Sequence, residues 1–149
     1  MSRSLRILIT GATGAVGPVV VRAFHGAGYA VRTLSLDQPP AGLWPDGVEA
    51  VTGDITDASA VRAVMDGVAA VIHMAALLHI VHVSPELFEK YQKINVGGTS
   101  NVVNTAADAG VKRVVLFSTI AVYGPSGGRI LTENSTPCPL KREIWTPAC

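Results

Sequence analysis

The amino-acid sequence predicts an α/β protein with a doubly wound parallel sheet of about five strands, and three observations predict it. Short runs rich in Val, Ile and Ala alternate with segments of helical spacing, the pattern of buried parallel strands joined by crossover helices. The first apolar run stops at Gly11, Gly14 and Gly17 and passes directly into a helical pattern, as a strand, tight turn and helix would. The chain of 149 residues is 48% hydrophobic and only 15% charged, which suits one compact domain and argues against disorder.

Taken in order, Leu5 to Thr10 is a short, largely apolar run that reads as a strand buried on both faces. Val16, Val19, Val20, Ala23, Phe24 and Ala27 then recur at helical spacing until Gly26 and Gly28 end the pattern. Ala30 to Ser35 is the second strand. Asp37 to Gly47, with three prolines and two glycines, is a loop. Val48 to Thr52 is a third strand ending at Gly53 and Asp54, and Ala58 to Met65 is a helix capped by Asp57. Ala69 to Ala75 is the fourth strand. Pro85 to Ile94 and Thr99 to Ala109 form either two helices or one long helix loosened at Gly97 and Gly98, and Lys112 to Phe117 is the fifth strand.

The glycine run is where a dinucleotide is expected to bind. Gly11 lets the strand turn sharply, Gly14 lets the backbone approach a pyrophosphate, and Gly17 lets the next helix pack closely. The helix that opens there aims its N–H groups and positive dipole end at the phosphates. Gly11, Thr13, Gly14, Ala15, Val16 and Gly17 are therefore the candidate phosphate loop.

Charge and cysteine usage narrow the remaining classes. A net charge of +1 supplies no basic field for nucleic acid or an anionic membrane. The longest apolar run, Val68 to Leu78, contains His73 and is too short to span a bilayer. The chain opens on a strand without a signal-peptide pattern, so a cytoplasmic location is expected. Cys138 and Cys149 lack zinc-ligand spacing and read as free thiols. His79 and His82 fall in a loop with no carboxylate or cysteine to complete a metal set, so no metal site is expected. His73, inside an apolar strand, reads as a satisfied core histidine.

Five segments in order, Thr10 to Gly17, Gly53 to Asp57, His73 to Ala76, Asn95 to Thr99 and Ser118 to Gly124, resemble the extended short-chain dehydrogenases, the NAD-dependent epimerase/dehydratase group. The resemblance covers roughly residues 5 to 135. It implies a Rossmann fold and hydride transfer between a nicotinamide and a nucleotide sugar, sterol or other alcohol or ketone. It also implies cofactor contacts from Asp54, as acceptor for the adenine amino group, from the Ile55 amide beside it, from Ala75 and Ala76 at the fourth strand's end, and from Ser118. Asn95 resembles the family's helix-borne asparagine that supports the active-site backbone. An acid at the end of the second strand selects NAD and an arginine selects NADP. Here Ser35 and Leu36 stand in that place and Asp37 follows, so NAD is expected through Asp37, with NADP held by Ser35 as the alternative.

The catalytic set departs from the family. That set is a tyrosine, a lysine four residues later that lowers the tyrosine pKa, and a Ser or Thr beside the reacting oxygen. Thr119 matches the last position. Tyr29, Tyr91 and Tyr123 are followed four residues on by Thr33, Asn95 and Gly127, so the Tyr-x-x-x-Lys pair is absent. Leu131 to Pro137 resembles the segment preceding the family's tyrosine, but the pair would fall at about Glu143 and Pro147. A premature end by frameshift, truncation or altered splice is the expectation, with a C-terminally incomplete Rossmann domain over 1–135 and an irregular tail over 136–149. The chain then reads as the NAD(P)-binding portion of an oxidoreductase, inactive alone and taking a small-molecule substrate only in a complete form. The alternative is a non-enzymatic NAD(P)-binding or sensing module, or a subunit of a larger assembly; a homodimer stays open.

Overall fold

A computed structural model describes residues 5–78, 84–124 and 126–137. His79, His82, Cys138, Cys149 and the expected tail beyond Pro137 lie outside the described residues. Two compact units divide the chain, 1–116 and 117–149.

The first unit holds strands β1 (Arg6–Thr10), β2 (Ala30–Ser35), β3 (Glu49–Thr52), β4 (Val68–His73) and β5 (Arg113–Leu116). They form one parallel sheet in the order β3-β2-β1-β4-β5. Strand order reverses between β1 and β4, and ligands of open α/β sheets sit at the carboxyl end of such a switch point. Helix α1 (Gly17–Gly26) connects β1 to β2, and α2 (Ala58–Ala63) precedes β4. Between β4 and β5 run α3 (Pro85–Tyr91), a π-helical segment (Gln92–Gly98) and α4 (Thr99–Asp108).

Why β1 is apolar at every central position follows from its pleat. Alternate residues face opposite layers, and both layers are covered. Ile7 and Ile9 pack with Val21 and Val31 in one core, beside Phe24 of α1. Leu8 packs with Leu34, Val61, Val71, Val102 and Ala106 in the other, beneath α2 and α4. Trp44 and Val48, from the Pro-rich loop and its end, pack against the α1-side core. The two edges differ from this interior: β3 is largely exposed, and β5 exposes Val115 and Leu116.

Helices α2 and α3 begin where the sequence supplies acceptors. Asp57 Oδ1 accepts from the Ser59 N–H at 2.8 Å, capping α2, and Ser84 Oγ accepts from the Leu87 N–H at 3.2 Å, capping α3. The Ser59 hydroxyl, donating to Asp57 Oδ1 at 2.6 Å, and then the Ser59 N–H hold the Asp57 carboxyl below the usual carboxylate range.

Several expected boundaries move. α2 ends at Ala63 rather than Met65, because Val64 and Met65 turn to bury their side chains in the core. β3 begins at Glu49, one residue later than expected. β4 runs from Val68 to His73 and stops short of Ala75, because its neighbour β1 turns away at Gly11, whose φ is +71°. The helix expected over Pro85 to Ile94 loses α-geometry after Tyr91 and continues as the π segment, so helical structure is unbroken from Pro85 to Asp108. Among the described residues no helix is long and apolar enough to cross a membrane.

Candidate cofactor site

The glycine loop emerges from β1 at the switch point, and its three glycines meet three different surroundings. At Gly11 an added Cβ would lie 2.6 Å from the backbone N and Cα of Ala75; the turn is pressed against the segment leaving β4. At Gly17 it would fall on the Ala12 carbonyl, so α1 seats directly on the loop. At Gly14 the nearest atom is the Gly11 oxygen at 3.3 Å. Gly14, Ala15 and Val16 are exposed, and this apex of bare backbone leads into a helix end with no side-chain cap.

Hydrogen bonds hold the loop's base and leave its apex open. The Gly11 N–H donates to the Leu34 carbonyl at 2.8 Å, Gly14 to Gly11 at 3.1 Å, and Gly17 to Gly14 at 3.0 Å. The Thr13 N–H donates to Ser35 Oγ at 3.3 Å. Ser35, 4% exposed, is thus engaged in holding the loop, while Asp37, two residues beyond β2, is exposed.

β4 contributes a second wall. Ala75 is half-buried against Gly11, Ala76 is exposed, and Leu77 is clamped by Asn95 of the π segment. Asn95 Oδ1 accepts from the Leu77 N–H at 2.7 Å, and its Nδ2 donates to the Leu77 carbonyl at 3.0 Å. π-helical turns inside α-helices are frequent at functional sites. Here that turn also lays Gly98 onto Ile55, where a Cβ would meet the Ile55 Cδ1 at 2.5 Å.

Asp54 lies just past β3, exposed, with Oδ1 accepting from the Thr56 N–H at 2.8 Å. The Ile55 side chain is buried in the core, and its carbonyl accepts from Asn101 Nδ2 at 3.0 Å. Neither the Ser35 link to Thr13 nor the Asn101 link to Ile55 was visible in the sequence, since each joins residues far apart in the chain. His73 is the satisfied core histidine expected: Nδ1 lies 2.6 Å from Thr10 Oγ1 and Nε2 3.0 Å from Thr99 Oγ1. Burial pushes its pKa down. Among the described residues no group of three potential metal ligands is assembled.

In the second unit, Ser118 and Thr119 are exposed and lead into a short 3₁₀ turn, Ile120–Tyr123, in which the Thr119 carbonyl accepts from the Val122 N–H at 3.3 Å. Tyr123 lines a cavity with Arg129, Leu131, Asn134 and Pro137.

A glycine cradle opening at the switch point of a doubly wound parallel sheet defines a dinucleotide-binding fold of the Rossmann type. Residues 7–143 match the model of the NAD dependent epimerase/dehydratase family, and the chain belongs to that family. It is 36% identical over 139 residues to a 3 beta-hydroxysteroid dehydrogenase/Delta 5-->4-isomerase of Mycobacterium tuberculosis, covering 90% of this chain and 36% of the relative. Among solved structures it resembles a short-chain dehydrogenase/reductase superfamily protein from Agrobacterium tumefaciens with bound NAD, at 33% identity and a TM-score of 0.77, covering 91% of this chain and 40% of that one. A UDP-glucose 4-epimerase from Brucella ovis in complex with NAD is similar at 26% identity and a TM-score of 0.81, covering 92% of this chain and 42% of that one. The chain thus spans about two fifths of the length of these relatives.

Proposed function

We propose that this chain is the NAD-binding portion of an epimerase/dehydratase-type oxidoreductase that acts on a nucleotide sugar, sterol or similar alcohol or ketone, and that it does not turn over substrate alone. The observation that carries the reading is the contrast among the three glycines. Gly11 and Gly17 are closed by backbone at under 3 Å, whereas at the exposed Gly14 a side chain would meet only the Gly11 carbonyl oxygen, at 3.3 Å, at the loop apex where a pyrophosphate would sit against backbone N–H groups. Gly11, Thr13, Gly14, Ala15, Val16 and Gly17 would hold the phosphates, Ala75 and Ala76 would flank the cofactor, and Asp54 with the Ile55 amide would meet the adenine. Asp37 would accept from a ribose hydroxyl. Asn95 would keep the Leu77 backbone in place. NAD, when bound, supplies the hydride acceptor or donor.

For chemistry the reading has Thr119 as the hydroxyl beside the reacting oxygen. No tyrosine with a lysine four residues on is present in the sequence, so proton transfer to that oxygen lacks its acid/base group.

Calorimetric titration with NAD tests the binding claim. Wild type is expected to bind, and Gly14→Val is expected to stay folded yet lose binding, because its side chain fills the phosphate space without meeting a core element. A folded wild type that binds neither NAD nor NADP at millimolar concentration would refute the assignment.

A further inference from the structure

We propose that His73 is a positioning residue that ties the glycine loop to the π-helical segment, so that NAD affinity depends on a buried link the ligand never touches; this rests on the reading of the crevice as a NAD site. Three elements meet in the link. Thr10, 0% exposed, is the residue immediately before Gly11; His73, 1% exposed, ends β4 and pairs with Thr10 in the sheet register; Thr99 opens α4 directly after the π segment.

The polar contacts form one continuous chain. Thr10 Oγ1 accepts from the Ala75 N–H at 3.4 Å and lies 2.6 Å from His73 Nδ1; in the order proposed, its hydroxyl hydrogen goes to Nδ1. The ring is then neutral with its hydrogen on Nε2, donating to Thr99 Oγ1 at 3.0 Å. Thr99, at a helix start, has carbonyls of the preceding turn for its own hydrogen. The opposite order, with the hydrogen on Nδ1, would have Thr10 Oγ1 accept twice and its own hydrogen find another acceptor in a buried site. One hydroxyl, Thr10 Oγ1, therefore touches the ring and the Ala75 amide at once. Gly11, the next residue, is pressed on that same Ala75.

The π segment thus grips the wall of the crevice twice. Asn95 holds Leu77 from within the segment, and Thr99 holds His73 and Thr10 from its end. A rigid imidazole reaches both hydroxyls, whereas an aliphatic side chain could fill the volume but direct nothing. Displacement of Thr99 is passed to Gly11 and Ala75 through directional bonds.

Thr99→Val, which keeps shape and loses the hydroxyl, separates this link from general stability. NAD affinity of the full chain is measured by calorimetry, folding stability by urea, and backbone amides and the His73 ring by nitrogen-15 NMR without cofactor. Thr99→Val is expected to weaken NAD binding by about fivefold or more, the scale of coupling through contiguous networks, and to move the Gly11 and Ala75 amides. Thr99→Ser restores both. Val102→Ala, which opens the core three residues further along α4, is expected to lower stability and leave NAD affinity in place. Unmoved Gly11 and Ala75 amides in Thr99→Val, or an equal affinity loss in Val102→Ala, would overturn the link while leaving the NAD site standing. A ring hydrogen found on Nδ1 would overturn the donor order. A wild type that binds no NAD would instead overturn the reading of the crevice.

Discussion

Gly17 and Gly14 sit three residues apart and fail for different reasons when substituted. A methyl at Gly17 would have to occupy the Ala12 carbonyl, so Gly17→Ala must push α1 off the loop. We expect a stability loss of about 1–3 kcal/mol or more in urea unfolding, the range for overpacked sites. Gly14→Ala, with only the Gly11 oxygen at 3.3 Å, is expected to fold nearly as wild type. At the end of β2, Ser35 is committed to Thr13 and Asp37 is exposed. NAD is therefore expected to bind more tightly than NADP, and Asp37→Arg to narrow or reverse the preference; a wild type that favours NADP would count against Asp37. His73 adds a pH dependence. Burial holds it below the ordinary histidine value of 6.5, so the unfolded chain takes up the proton first as pH falls. Its contribution to stability is complete above about pH 6.5 and declines below it until the folded ring titrates. Urea midpoints across that range check the sign, and His73→Gln is expected to flatten the slope. The three glycines were legible in the sequence because spacing alone exposes them. The partners of His73 were not, because 63 residues separate it from Thr10 and 26 from Thr99.

At the scale of elements, period and composition located each strand and helix, and tertiary contacts decided where each one ended. Ala30–Ser35 matches its expected range, since polar and Gly-containing segments bracket it. The expected β4 begins one residue late and runs two residues too far, because Met74 and Ala75 continue the apolar pattern; only the turn of β1 at Gly11 reveals that they leave the sheet. The π segment is the hardest to read. Gly97 and Gly98 suggest a loosened helix, but the geometry answers to Ile55 under Gly98 and Leu77 under Asn95. Asn95→Ala strips both backbone groups of Leu77 of their partner. It is expected to cost about 1–3 kcal/mol and to speed amide hydrogen exchange at Leu77, while Asn95→Gln, one methylene too long for the same clamp, is expected to recover little.

For the whole molecule, the sheet closes two cores around β1 and leaves β3 and β5 as edges. With the Tyr-x-x-x-Lys pair absent from the sequence, turnover is expected to be undetectable. Loss of a positioned acid/base group alone costs about 10²–10⁴-fold in rate. The check is nicotinamide absorbance in single turnover with nucleotide sugars, sterols and simple ketones, and a hydride transfer abolished by Thr119→Val would overturn the expectation. Composition and motif order made the architecture and the position of the glycine loop legible from the chain, whereas the substrate left no mark on its residues. The central position of β1 also sets an order of assembly. Its contacts with β2 are short in sequence, with Ile7 and Val31 paired 24 residues apart, while those with β4 close a loop of 63 residues between Thr10 and His73. Local pairing is the faster event and distant parallel pairing the slower. During synthesis β1, α1 and β2 can meet while β4 is still being made, leaving one side of β1 bare. The crevice between β1 and β4 is then completed only after the β1, α1 and β2 half, so a bound dinucleotide would act mainly as a brake on unfolding rather than as a template for folding.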